Sequence, residues 1–515
     1  MMTRPQLHSY LFALFPILFL FSKNAGETRL SELLWPLAVI LALVLLVSSL
    51  LSLFVKNRGK VFLAVTVFLI LFFSYGQLLA VLAGSDLSAG EGSLVSGKIL
   101  LPLWLALSAA IIILIVRTRR SLQRITVFFN AAALVLVGTQ FVVGCYAYTT
   151  RQTVTLRDTG NSEAVTTTEN LPDIYYIVLD GYGGHDVLRD MYRYDNSNFL
   201  SSLTRKGFFV VDSSFSNYCA TDQSLTATLN LDYLHNLGRF DPNSSDRMSL
   251  AELFADNTVC RFLKARGYSI GAFTTGLYLT RLSEADLYFT SGLTLSEFQN
   301  SIINMTPVAY LLRFVKSQYD IHRDRIRYVL DKLPQIHELR SPKFVLAHIM
   351  APHPPFVFGP LGQARDRDRP FTFGDGSHYY EQGGSPEEYI AGYAGQAAYL
   401  SAQVEKLVEE LLRTSRTPPV IIVQGDHGPG SGLDWQNAGK TNLFERFSNL
   451  SALYLPGCDY SRLSRSMTPV NSFRIIFNRY FGTSFELLPN HNYFTARTRP
   501  YLFIEVTDYL APDGL

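Results

Sequence analysis

Five apolar runs fall within the first 150 residues, and they dictate the solvent in which this part of the chain folds. They cover roughly residues 7–22, 33–55, 61–83, 99–116 and 125–147, each near the ~20 residues a helix needs to cross a bilayer. The second (LLWPLAVILALVLLVSSLLSLFV) and the fourth (LPLWLALSAAIIILIV) contain no charge. Charge is costly in hydrocarbon, so its absence is informative. The first run is the shortest and holds Pro16. It also fits a secretory signal peptide, but no clear small-residue cleavage site precedes the next span, and a retained helix is the reading adopted.

The basic residues order these spans. Arg4 precedes the first run, Lys56, Arg58 and Lys60 separate the second from the third, and Arg117, Arg119, Arg120 and Arg124 separate the fourth from the fifth. The alternate loops carry Glu27, Glu32, Asp86 and Glu91 with only Lys23, Arg29 and Lys98. The positive-inside rule then predicts a cytoplasmic N-terminus and cytoplasmic basic loops. Five crossings would leave everything after about residue 150 on the other side. No Asp, Glu, Lys or Arg lies inside a span, which argues against an ion or proton pathway.

Charge divides the chain in the same place. Only 17% of residues are charged, against about 25% in a typical soluble domain. Residues 1–150 hold 11 Lys and Arg against 4 Asp and Glu, and the rest hold 34 against 39, so the net charge of +2 is a cancellation. This excludes a single soluble globule and a small disulfide scaffold. No basic block lies outside the apolar half, so no nucleic-acid partner is expected. Of four cysteines, Cys145 sits in the fifth span. Cys219, Cys260 and Cys458 are an odd number outside it, so at least one thiol should be unpaired. Cys219 is the candidate for that, and a Cys260–Cys458 bridge is open.

Residues 1–148 thus read as a membrane domain. Residues 149–171 (TTRQTVTLRDTGNSEAVTTTENL) are too polar to form a core and read as a linker. From 172 to 515 the pattern alternates short strands with helices. DIYYIVLDG (173–181), YSIGAF (268–273), FVLAHI (344–349), VIIVQGD (420–426), LSALYLP (450–456) and YLFIEV (501–506) read as strands, and residues 386–413 as a long helix. This predicts an α/β domain with a mostly parallel sheet. Ligands bind such sheets beyond the carboxyl ends of their strands. Asp180 follows one apolar strand, and Asp426-His427 followed by Gly-Pro-Gly follows another. A lone acid there is commonly a turn former, but strand ends of one sheet converge, and carboxylate with imidazole suits Zn²⁺ or Mn²⁺.

The ordered set DIYYIVLDGYGG, NYCATDQSLTAT, APHPPF and VQGDHGPG, behind five spans, resembles the alkaline phosphatase superfamily. Its sulfatase-like membrane transferases, such as lipoteichoic acid synthases and phosphoethanolamine transferases, are the branch it looks most like. The resemblance covers nearly the whole chain. It implies five transmembrane helices plus an alkaline-phosphatase-like (sulfatase-like) α/β domain outside a bacterial plasma (inner) membrane, periplasmic or extracellular. It implies Asp180, Thr221, Asp426 and His427 as ligands of one divalent metal, Mn²⁺ or Zn²⁺. It also implies Thr221 as nucleophile, passing through a phosphothreonine, and His353 as the histidine at the transferred phosphate or leaving group. The implied partners are a membrane-lipid donor and an envelope glycan or lipid acceptor of a phosphoglycerol- or phosphoethanolamine-like group.

The residue types suit that chemistry. A threonine hydroxyl is a weak nucleophile at neutral pH until a cation lowers its pKa, and a histidine is suited to protonate a leaving alkoxide. Other readings stand beside these. Thr221 also fits a plain N-cap, Ser224 is a rival nucleophile, and His353 before Pro-Pro also fits a turn. A second metal would need further ligands, for which His491 (LPNHNYF) and His185 (DGYGGH) are candidates, though both also read as surface residues. The loop 356–380 offers Arg365, Arg367 and Arg369 as anion contacts. Membrane transferases of this type usually carry Glu where this chain has Asp180, which leaves hydrolysis of phosphate mono- or diesters as an alternative to transfer. A third alternative is a catalytically inactive envelope scaffold. Cys219 is followed by Ala-Thr-Asp-Gln and lacks the Cys-x-Pro-x-Arg pattern of true sulfatases, so sulfate-ester chemistry of that type is not expected.

Overall fold

The structure, a computed structural model, describes residues 6–83, 97–149, 171–282, 285–292, 295–312, 316–336, 338–365 and 371–510. The chain divides into two compact units. One comprises Met1–Arg151, Leu295–Gln318 and Arg369–Phe371, and the other Gln152–Thr294, Tyr319–Asp368 and Thr372–Leu515. All but the ends of the expected linker at 149–171, together with Arg367 and Arg369, lies outside the described residues.

In the first unit the five apolar runs are five helices: α1 (His8–Lys23), α2 (Ser31–Phe54), α3 (Arg58–Ala83), α4 (Gly97–Arg117) and α5 (Gln123–Thr149). Four of them, all but α1, are long and apolar enough to cross a membrane. They carry Leu34, Trp35, Leu53, Phe54, Leu114, Phe128, Val135 and Phe141 at the surface. A water-exposed fold does not display so continuous an apolar exterior, whereas hydrocarbon solvates it. α1 has 16 residues, roughly 24 Å at 1.5 Å per residue against a ~30 Å hydrocarbon layer. It packs against α2, α3 and α5 with Ala13, Ile17 and Phe21 buried. Polar contacts tie it in: the His8 N–H donates to Asn130 Oδ1 at 2.9 Å and Ser22 Oγ to Gln140 Oε1 at 2.6 Å. Such pairs satisfy polar groups buried between the helices.

The second unit is built on a seven-stranded sheet. Its strands are β1 (Ile174–Leu179), β2 (Phe209–Val210), β3 (Ser269–Phe273), β4 (Leu287–Phe289), β5 (Lys343–Ile349), β6 (Val420–Gly425) and β7 (Ser451–Tyr454), in the order β2-β7-β6-β1-β5-β3-β4. β6, β1, β5, β3 and β4 run parallel, and β7 is antiparallel to β6. β1, β5 and β6 are buried along their whole length, which is why they read as unbroken apolar runs rather than alternating ones. One core cluster joins Ile174, Tyr176 and Val178 to Phe344, Leu346, Ile422 and the helix residues Phe473 and Phe477.

The segment read as a last strand behaves differently. Residues 501–506 overlap β9 (Arg499–Glu505), which among the described residues pairs with β8 (Tyr493–Ala496) in a separate two-stranded antiparallel ladder. Its exposure at Arg499, Ile504 and Glu505 marks it as a surface hairpin strand. The short strands β2 and β4 had no signal in the sequence because two or three residues show no period.

Candidate active site

The register of the central strands brings the expected site residues to one level. Leu179 at the end of β1 pairs with Ile349 of β5 on one side and with Gly425 of β6 on the other. Asp180 and Asp426 therefore leave the sheet side by side, at the strand ends where a parallel sheet binds ligands. Gly181 turns the chain at φ +71°, a left-handed conformation that favours glycine, and its N–H donates to Asp426 Oδ1 at 2.9 Å. Gly428 follows His427 where an added Cβ would lie 2.1 Å from the Glu445 carbonyl oxygen. Only glycine lets the Asp426-His427 turn sit this close to the neighbouring backbone.

Thr221 opens the helix Thr221–Leu229, but Ala220 is its N-cap. The Thr221 hydroxyl is thereby not used as a cap. It donates to His427 Nε2 at 3.1 Å. The His427 Nδ1–H donates to the Gly428 carbonyl at 2.9 Å, and Arg446 Nη2 donates to Nε2 at 3.3 Å. This network assigns the proton to Nδ1 and leaves a lone pair on Nε2. Burial, helped by Arg446 and opposed by Asp426 and Asp180, lowers the His427 pKa, so the ring is neutral. The Nε2 atom stands 3.3 Å from Asp426 Oδ2 and 3.8 Å from Asp180 Oδ1.

Those two carboxylate oxygens are the telling atoms. Both are buried, and among the described residues neither has a hydrogen-bond partner. An unmatched buried carboxylate oxygen is costly, and two converging on a neutral imidazole nitrogen and a hydroxyl make a donor set that fits a divalent cation. Asp180, Asp426 and His348 also place one ligand atom each within 4.8 Å of one another. Burial works against the Asp180 charge, but His353, the hydrogen bond from His348 and the charges of His348 and His427 outweigh it. Together they hold the carboxyl below its ordinary value.

His348 is the residue that sequence reasoning missed. It lies on β5, fully buried, and its Nε2 hydrogen-bonds Asp180 Oδ2 at 2.9 Å. It fixes one oxygen of Asp180 and leaves the other turned to the site. Partners of this kind set ligand orientation. We expect His348→Ala to weaken divalent-metal affinity about 10–100-fold, measured by competition with a chromogenic chelator.

His353 lies beside this cluster, its N–H bonded to the Asp180 carbonyl at 3.0 Å and its ring 6.4 Å from that of His427. The Nδ1–H donates to Pro354 O at 2.6 Å, and Nε2 is 3.8 Å from Asp375 Oδ2. Asp375 accepts from Tyr389 at 2.6 Å and pairs with Arg446 at 2.7 Å, all three buried. Against burial, Arg446, then His353 and Tyr389, lower the Asp375 pKa. The stability it adds is complete above the ordinary carboxylate range, near pH ~4, and is lost as the pH falls through the depressed value. Asp375→Asn leaves Arg446 buried without its counter-charge and should cost about 3–5 kcal/mol, read as a lowered denaturation midpoint.

The remaining candidates separate from the cluster. Ser224 is buried and its hydroxyl donates to the Asp426 carbonyl at 2.6 Å, which occupies it structurally. Cys219 is buried with its thiol directed at the Thr495 carbonyl, and none of the four cysteines is in a disulfide, so Cys260 and Cys458 are not bridged. His491 pairs with Glu505, and His185 with Asn196. Arg365 donates to the Ala391 carbonyl at 3.5 Å.

The family model described as Sulfatase matches residues 172–453. No curated protein matches the chain. Among solved structures, the C-terminal periplasmic domain of EcEptC from Escherichia coli, in complex with Zn, is similar at 10% identity and a TM-score of 0.44. That likeness covers 68% of this chain and 96% of that one. The phosphonate monoester hydrolase of Agrobacterium radiobacter is similar at 14% identity and a TM-score of 0.42, over 63% and 80% of the two chains. The soluble domain of lipooligosaccharide phosphoethanolamine transferase A from Neisseria meningitidis is similar at 9% identity and a TM-score of 0.39, over 61% and 89%.

Proposed function

The chain belongs to the sulfatase family, and from that premise we propose that it is a membrane-anchored, metal-dependent transferase of a phosphorus-containing group, with Thr221 as nucleophile. The observation that carries the reading is the Thr221 hydroxyl donating to the unprotonated Nε2 of His427, beside the unpartnered oxygens of Asp180 and Asp426. Those four residues would hold one divalent cation, Mn²⁺ or Zn²⁺. When bound, such an ion lowers the pKa of a hydroxyl and offsets the charge of a phosphoryl group.

The chain's own residues supply the rest. Thr221 Oγ1 attacks phosphorus, forming the Thr–O–P bond as the bond to the donor's oxygen breaks. The hydroxyl proton is released to solvent as that bond forms. His353, whose Nε2 lies 3.8 Å from Asp375 Oδ2, gives a proton to the departing alkoxide. In the second step the neutral Nε2 takes the proton of an acceptor hydroxyl, which attacks phosphorus and releases Thr221. The donor is a membrane lipid and the acceptor an envelope glycan or lipid, the transferred group resembling phosphoglycerol or phosphoethanolamine. The buried, occupied thiol of Cys219 and the absence of Cys-x-Pro-x-Arg weigh against a sulfatase nucleophile there.

The placement is that of a bacterial inner-membrane protein with the sulfatase-family unit outside the cytoplasm. Support comes from the basic loops and from the first unit, where the inserted residues 295–312 pack at the helix ends away from those loops. Asp180, in a position where membrane transferases usually carry Glu, favours one second reading, hydrolysis of a phosphate mono- or diester. Incubation with lipid donor in ¹⁸O water separates the two. Transfer predicts product free of the label, and hydrolysis predicts ¹⁸O in the released phosphate.

A further inference from the structure

The chain leaves the second unit at Thr294 and rejoins it at Tyr319, and the residues between belong to the helical unit. Helix Glu297–Asn304 begins with a capping box between Ser296 and Gln299, which fixes its start. Phe298 is buried in one apolar cluster with Phe21 of α1, Leu33 of α2 and Phe73 of α3, and Ile302 and Met305 pack on the same cluster. The Gly76 N–H of α3 donates to the Met305 carbonyl at 3.1 Å. A Cβ on Gly76 would lie 1.9 Å from the Asn304 carbonyl oxygen, so the two backbones touch only because residue 76 is glycine. Tyr310, in the helix Val308–Leu312, packs with Tyr75, Leu78, Leu79 and Trp104.

Polar contacts close the segment: Gln318 donates to Asn300 Oδ1 at 2.8 Å and Asn304 Nδ2 to the Phe371 carbonyl at 2.8 Å. Every helix end involved belongs to one side. Phe21 lies in the last turn of α1, Leu33 in the first turn of α2, Phe73 to Leu79 in the C-terminal half of α3, and Trp104 in the N-terminal half of α4. That side is opposite the basic loops at 56–60 and 117–124.

We propose that residues 295–312 are a docking segment whose partner is the chain's own membrane helices, so that the sulfatase-family unit is attached twice, by the linker and by this insertion. The proposal rests on the reading of α1–α5 as a membrane anchor, and its test keeps the two apart. A site for a sequence-specific protease is inserted after Gly160 in the full chain, membranes are prepared, cut, washed in high salt and sedimented. Uncut chain in the supernatant would contradict the anchor reading itself.

With the anchor intact, the cut wild-type C-terminal fragment is expected in the pellet. The double variant Phe298→Asp/Ile302→Asp should shift most of it to the supernatant. Gly76→Leu should do the same from the helix side, because it leaves the sequence of the segment, and hence its affinity for lipid, unchanged. Release of the wild-type fragment on cutting overturns the proposal. So does retention of all variants, which would place the second attachment elsewhere, and so does release by the double variant with retention by Gly76→Leu, which would make lipid the partner. Resistance of the released fragment to a second, non-specific protease shows that the sulfatase-family unit is folded and that release is not a product of unfolding.

Discussion

Thr221→Ala is expected to lower turnover by about 10⁴-fold or more while the protein keeps its denaturation midpoint. The argument is geometric. Thr221 is the first helical residue rather than the cap, so its hydroxyl does not hold the helix start. It bonds His427 Nε2 instead. Losing it removes the attacking atom and leaves the core intact. Thr221→Ser restores a hydroxyl in the same place and should recover activity to within a few orders of the parent. The measurement is initial rate with a lipid donor, alongside thermal unfolding. Full activity in Thr221→Ala would move the nucleophile, and Ser224, one turn along, would be tested next.

The second large effect is on the metal. Purified protein should carry one Mn²⁺ or Zn²⁺ per chain, and Asp426→Asn should lose most of it. Asparagine keeps an Oδ1 acceptor for the Gly181 N–H, so the turn between β1 and β6 is preserved. What it removes is the charge on the unpartnered Oδ2. Without that charge the site retains one carboxylate, a neutral imidazole and a hydroxyl, too little negative charge to hold a divalent ion tightly. Elemental analysis of both proteins decides the matter, and equal metal in the two would contradict the site. Activity of the wild type should fall on dialysis against a chelator and return with added metal.

Much of this was legible in the sequence, for identifiable reasons. The five apolar helices follow from long runs that lack charge, four of them long and apolar enough to cross a membrane. The strand ends at Asp180 and Asp426-His427 follow from apolar runs that stop at an acid before glycine. Other parts needed the sheet order. His348 sits inside FVLAHI and reads as one more interior strand residue; only the neighbouring of β5 with β1 sets it against Asp180. Asp375 and Arg446 come from a loop end and from the short helix Leu443–Phe447, 71 residues apart, and meet only in the fold. Residues 295–312 lack a long apolar run, since two short helices with a few apolar contacts suffice to join the membrane unit. The strand read at 501–506 exists, but half its side chains face solvent, and it pairs in a hairpin away from the main sheet.

The central claim is that a phosphorus-containing group passes through Thr221. The direct test is mass spectrometry of the protein after brief incubation with an envelope lipid extract and metal, followed by acid quench and peptide mapping. The account predicts an added mass, equal to the transferred group, on the peptide containing Thr221, absent from Thr221→Ala. Product formed at the full rate with Thr221 unmodified at every time point, or the added mass on another residue, would contradict it.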